Sequence, residues 1–179
     1  MIDIGSPLAG WATSLDSVPD PVFAERMLGD GMAVDPTEGR LVAPAAGTVV
    51  SVHAAGHAVS IELDSGPVLL IHLGLDTVQL GGAGFTPLVR EGQRVDGGDT
   101  LIQFDLDLIA RRAPSLISPV IVTNGDVFRI VSARGAGPVE VGATLFTVEN
   151  VAAESAVERQ VGATVSRQLR LLLAHGIHA

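Results

Sequence analysis

Two of the five histidines in this 179-residue chain sit at the ends of one short hairpin pattern. His57 opens the segment His57-Ala58-Val59-Ser60-Ile61-Glu62-Leu63, and His72 comes near the end of Val68-Leu69-Leu70-Ile71-His72-Leu73. Between them, Asp64-Ser65-Gly66 carries the turn residues that join antiparallel strands. A two-residue loop at Asp64-Ser65 sets His57 directly across from His72; a three-residue loop with a glycine bulge offsets them by one position. Either register can bring the imidazoles within about 5–8 Å. Alternation groups His57 with Val59, Ile61 and Leu63, and His72 with Val68 and Leu70, so both rings are expected on an apolar face. A lone strand histidine is usually a packing or surface residue. Two imidazoles converging among aliphatic side chains are harder to dismiss, because a buried polar group without a partner costs free energy. Without a carboxylate on that face, the pair suits a phosphoryl group accepted on nitrogen or an incomplete metal site.

Composition removes most other chemistry. All eleven basic residues are arginine, so Schiff bases, a P-loop lysine and lipoyl or biotinyl attachment are unavailable. Cysteine is absent, which excludes disulfides, thiol chemistry and thiolate zinc sites. A net charge of −9 argues against nucleic acid and favours a basic partner. No apolar run is long enough to span a bilayer, and the start lacks the pattern of a secretory signal, so a cytoplasmic location is expected.

The elements that must position the pair are short. Glycine (21) and proline (10) punctuate segments rich in Val, Ile, Leu and Thr, such as 47–52, 58–63, 68–73, 100–104, 120–123 and 144–148. That spacing predicts an all-β fold, a closed antiparallel sandwich or barrel. Short helical turns are expected at Phe23–Leu28 and Leu106–Ala113, where apolar residues sit three or four apart. The phrases 43–50 and 89–101 echo each other and resemble the turn phrases of biotinyl- and lipoyl-type half-barrels. After Asn150 the pattern changes to an Ala/Glu/Ser/Val-rich stretch that could equally be linker or helix. The expected organisation is one domain over 1–150 followed by a tail over 151–179.

The words around the histidines resemble the glucose-type enzyme IIA of the bacterial phosphoenolpyruvate:sugar phosphotransferase system. They are Gly56-His57-Ala58-Val59-Ser60-Ile61 and His72-Leu73-Gly74-Leu75-Asp76-Thr77-Val78. Similar words recur in order across residues 6–150, among them Val18-Pro19-Asp20-Pro21-Val22-Phe23-Ala24, Leu28-Gly29-Asp30, Phe104-Asp105-Leu106 and Thr123-Asn124. The resemblance implies that His72 accepts a phosphoryl group from the phosphocarrier HPr and passes it to the IIB domain of a sugar permease. It implies that His57 supports the transfer, and that Val22, Phe23, Leu28, Leu70, Asp76 and Val78 form the partner-binding surroundings. No cofactor is implied, although a zinc ion bridging His57, His72 and a partner carboxylate belongs to the same resemblance. The chain departs from the family at Ala55, where a hydroxyl residue is common, and at His53, where many relatives carry an aromatic. His53 is expected at the rim.

The tail residues His175-Gly176-Ile177-His178-Ala179 resemble the start of an HPr phosphorylation motif, with His178 at the phosphorylated position. Following a IIA domain, this suggests the front of a IIA–HPr–enzyme I fusion. Two rival readings are a zinc metallopeptidase on a related scaffold and an inert β-barrel binding module. The peptidase needs an H-x-H pair downstream of an H-x-x-x-D, and no H-x-H pair occurs in the sequence. The sugar is not named by these residues, since selectivity lies in the permease.

Overall fold

The computed structural model describes residues 1–151 and 159–167. Among the described residues up to Asn150, fourteen strands, two short α-helices and two single-turn 3-10 segments follow one another. The largest sheet runs in the order β13 (Gly137–Val139), β2 (Gly10–Ser14), β3 (Asp30–Pro36), β11 (Ser118–Val122), β7 (Val68–His72), β6 (Ala58–Leu63), β5 (Gly47–Val52) and β9 (Arg94–Val95). A second sheet holds β1 (Ile2–Gly5), β14 (Thr144–Asn150) and β12 (Phe128–Ala133), and a third holds β4 (Arg40–Val42), β10 (Thr100–Phe104) and β8 (Phe85–Pro87). The paired strands are antiparallel throughout, as the all-β sandwich reading expects.

Inward-facing residues of the sheets make one core. Val59 and Ile61 of β6, Leu69 and Ile71 of β7, Val120 of β11, Leu101 and Ile102 of β10, and Leu145 and Val148 of β14 are fully buried within it. Each such side chain contributes roughly 1.5–3 kcal/mol through burial. The two echoing phrases lie side by side. Gly47 and Thr48 pair with Val95 and Arg94, and Ala43 exchanges backbone hydrogen bonds with Gly98 and Asp99.

The helical turns are where chain chemistry puts them. The first spans Pro21–Ala24 (α1), starting two residues and ending four residues nearer the N-terminus than its apolar spacing suggested. Asp20 caps Val22 N–H through its side chain and Pro21 fixes the first turn, so the cap, not the apolar spacing, sets the start. The second, α2 (Leu106–Arg112), begins on an Asp105 cap. Beyond the strands, residues 159–167 are helical and exposed, while His178 lies outside the described residues.

The β6–β7 hairpin takes the three-residue loop, with Leu63 N–H donating to Pro67 O and Gly66 N–H to Leu63 O. Val59 therefore faces Ile71 and Ala58 faces His72. At the far end from the histidines, Asn124 clamps the loop by accepting from Val68 N–H and donating to Gly66 O. This parity makes a prediction. Ile71→Ala should lower stability by about 3 kcal/mol in urea unfolding, whereas Leu70→Ala, one residue along but half-buried on the other face, should cost less than about 1.5 kcal/mol. Equal costs would mean the register is misassigned.

Candidate functional site

His72 ends β7 on the outward face, half-buried beside the half-buried Val68 and Leu70. Its Nδ1 lies 2.8 Å from Gly74 O. A carbonyl can only accept, so Nδ1 carries the proton and Nε2 keeps the free lone pair. Gly74 stands at φ +70, and a Cβ there would lie 2.7 Å from Thr77 Cγ2 and 3.0 Å from Ser115 O. Only glycine turns the carbonyl back towards the ring at this point. The segment is pinned from the other side too. Gly74 N–H donates to the buried Ser118 Oγ at 3.1 Å, Leu75 N–H to Ser115 O at 3.0 Å, and Thr77 Oγ1 to Leu73 O at 2.7 Å.

His57 precedes β6 by one residue, and only 3% of its surface is exposed. Its strand parity matches the buried Val59, Ile61 and Leu63, whereas His72 shares the opposite face with Ala58 across the ladder. The expectation of one shared strand face therefore fails. The rings still meet, with centroids 4.9 Å apart in an edge-on arrangement. They do so at the open end of the hairpin, where Gly56 at φ +80 turns the chain just before the pleat begins. His57 O continues the ladder by accepting from Leu73 N–H at 2.8 Å.

Aromatic rings complete the enclosure. Phe23 packs on His72 at 5.3 Å, Phe85 stands edge-on to His57 at 6.2 Å, and His53 packs on His57 at 4.3 Å. Of the expected partner-contact residues, Val22, Leu28, Val78 and Asp76 are exposed, Leu70 is half-buried, and Phe23 is buried. Phe23 is thus a wall of the site and does not form its outer surface. His53 is exposed as expected of a rim residue, yet its ring is part of the cluster.

Sequence reasoning gave no role to Asp20, Ser118 or Thr77. Asp20 and Asp76 place negative charge near His72 and raise its proton affinity. Ser118 and Thr77 act only through backbone atoms, and the Ser118 contact is invisible until the 73–77 and 115–118 segments are seen together. Burial dominates the titration of both rings. Desolvation lowers His72, partly offset by its Gly74 hydrogen bond and by the carboxylates. Desolvation, with repulsion from His72 and His53, pushes His57 down to about 4. Both imidazoles are therefore neutral nucleophile or donor groups near pH 7. No group of three or more His, Cys, Asp or Glu side chains among the described residues is arranged to hold a metal ion, so the zinc implied by resemblance has no support.

Comparison with known proteins places this arrangement in context. Residues 2–128 match the family described as phosphoenolpyruvate-dependent sugar phosphotransferase system, EIIA 1. A glucose-specific EIIA component from Halalkalibacterium halodurans is 45% identical over 141 residues, covering 79% of this chain and 82% of the relative. A mannose-specific EIIBCA component from Corynebacterium glutamicum is 52% identical over 128 residues, covering 72% of this chain but 19% of that longer protein. Among solved structures, glucose permease IIA from Mycoplasma capricolum aligns with a TM-score of 0.74 and 39% identity, over 81% of this chain and 94% of that one.

The depressed His57 makes stability depend on pH. Unfolded, the ring takes a proton below about 6.5, while in the fold it stays neutral down to about 4. The unfolded state thus binds more protons in that window, and stability falls as pH drops through it. Urea unfolding should show a loss of about 2 kcal/mol from this ring between pH 7 and pH 5. His57→Gln should flatten that slope; an unchanged slope would show that His57 titrates normally.

Proposed function

The chain belongs to the EIIA 1 family of the phosphoenolpyruvate-dependent sugar phosphotransferase system, and from that premise we propose that His72 is its phosphoryl acceptor, through Nε2. The family assigns the activity: a phosphotransferase component that works through a phosphohistidine and hands the phosphoryl group to a IIB domain of a sugar permease. The observation that supports His72 is the Nδ1–H bond to Gly74 O, which leaves Nε2 as the nitrogen with an available lone pair. Nε2 attacks phosphorus as the donor's nitrogen–phosphorus bond breaks, and the donor imidazole recovers its lone pair. Such transfer needs alignment and hydrogen-bond donors more than covalent help. His57, neutral and beside His72, supplies the donor through its own Nε2–H.

The surroundings fit that task. Phe23 and Phe85 wall the two rings and limit water, which slows hydrolysis of the phosphoimidazole. Exposed Val22, Leu28 and Val78, with Asp20 and Asp76 close to His72, offer an apolar contact edged by negative charge. A basic phosphocarrier of the HPr type suits this surface as donor. We place residues 1–150 as the working domain, in the cytoplasm, where such partners meet. The tail reading, a IIA domain leading into HPr and enzyme I, rests on the sequence around His178 alone. The relatives include both glucose- and mannose-specific proteins by name, and the sugar is left to the permease.

With phosphoenolpyruvate, enzyme I and HPr supplied, one acid-labile phosphoryl group should appear on His72, and His72→Ala should take up none. His57→Gln, which keeps a donor of similar reach, should still accumulate the phosphorylated form but pass it to a IIB domain about a hundredfold more slowly. Labelling that survives His72→Ala, or is lost only in the His57 variant, reverses the two roles. Docking on a basic partner should also weaken as salt rises. Titration calorimetry with HPr that gives the same affinity at low and high ionic strength would show that charge is unimportant.

A further inference from the structure

His57 Nδ1 is buried and has no hydrogen-bond partner. Residue 55, in the same turn, is alanine and brings no hydroxyl to it. A neutral imidazole must carry its one ring proton on either Nδ1 or Nε2. A buried N–H without an acceptor is a rarer and costlier orphan than an under-used lone pair. Nδ1 therefore keeps the bare lone pair and Nε2 carries the proton, but only while Nδ1 stays dry. Water at Nδ1 accepts from an N–H as readily as it donates to a lone pair, and the preference disappears.

Rings pack around His57. His72 and Phe85 lie against His57 at 4.9 and 6.2 Å, and His53 lies nearest at 4.3 Å. His53 is itself exposed, while His57 is almost wholly covered, so His53 stands between that ring and solvent. Its position is fixed locally. His53 Nδ1 accepts Ala55 N–H at 3.0 Å, His53 N–H donates to Ala58 O at 2.9 Å, and Gly56 N–H donates to His53 O at 2.8 Å. The ring is thus held on a tied turn by its own backbone and does not swing freely.

We propose that His53 is a positioning residue of the site: its ring covers His57, excludes water from Nδ1 and so holds the His57 proton on Nε2, ready for a phosphoryl oxygen. The inference rests on the assignment of His72 and His57 made above and extends it to a third histidine. His53 need not touch the phosphoryl group; it acts through His57. A ring of similar size should do the same work, and a small side chain should not.

The test uses the full chain, ¹⁵N-labelled, with long-range ¹H–¹⁵N spectra of the imidazoles at about pH 8, where His57 is neutral. Unsubstituted protein should show His57 in the Nε2–H tautomer. In His53→Ala the spectrum should become a tautomer mixture, and transfer from phosphorylated protein to a IIB domain should slow about tenfold while His72 still takes up phosphate. His53→Phe should restore both the tautomer and the rate. An unchanged His57 spectrum or an unchanged rate in His53→Ala overturns the proposal, as does His53→Phe behaving like His53→Ala. If unsubstituted protein takes no phosphate on His72, the underlying assignment fails. The spectra still decide whether His53 sets the His57 tautomer.

Discussion

The hydrogen bond from His72 Nδ1–H to Gly74 O is the contact on which the rest of the site depends. It chooses the tautomer, aims the ring and decides which nitrogen keeps a free lone pair for the role proposed for His72. It exists only because the chain turns back two residues after β7, which requires the positive φ of Gly74. That turn is held by Ser118 and Ser115 from the start of β11 and the loop before it, and by Thr77 from the 3-10 turn Thr77–Leu80. Contacts from outside the turn therefore fix the backbone on both sides of the one carbonyl that meets His72. The large sheet matters to function chiefly because it brings β7 and β11 together at that point.

Electrostatics then works against burial in a useful way. Desolvation keeps both His57 and His72 neutral, while Asp20 and Asp76 pull His72 towards its protonated form. A nucleophile that is too dry never meets a phosphoryl donor, and one that is fully wet loses its product to hydrolysis. Under the roles proposed for them, half-buried His72 beside nearly covered His57 divides these demands: one ring is reachable, and the other is kept in one protonation state. The carboxylates also give the rim a charge that suits the basic partner proposed above, without adding a cation that would compete for the phosphoryl group.

The hairpin, its turn residues and the histidine pair were legible in the sequence because alternation, glycine spacing and the Asp64-Ser65-Gly66 turn are local signals. So were the strand bounds Gly47–Val52, Ala58–Leu63 and Thr100–Phe104. The register was narrowed to two choices, and the loop took the longer one, which placed the two histidines on opposite strand faces. Their meeting depends on Gly56, outside the strand, which alternation cannot describe. The start of α1 was missed because apolar spacing was weighed above the Asp20-Pro21 cap. Ser118 serves a backbone atom far away in sequence, Thr77 closes a turn whose shape only the fold shows, and His53 meets His57 through ring packing; none of these leaves a pattern in a single chain. Asp20 lay inside a family word, but its effect on His72 needed the fold.

The central claim is that the phosphorus bond forms at Nε2 of His72 while Nδ1 keeps its proton on Gly74 O. Phosphorus–nitrogen couplings in the ¹⁵N spectrum of the phosphorylated, ¹⁵N-labelled protein test it directly. The account predicts coupling to His72 Nε2, with a slowly exchanging proton still on Nδ1. Coupling to Nδ1 of His72, or to either nitrogen of His57, would contradict it.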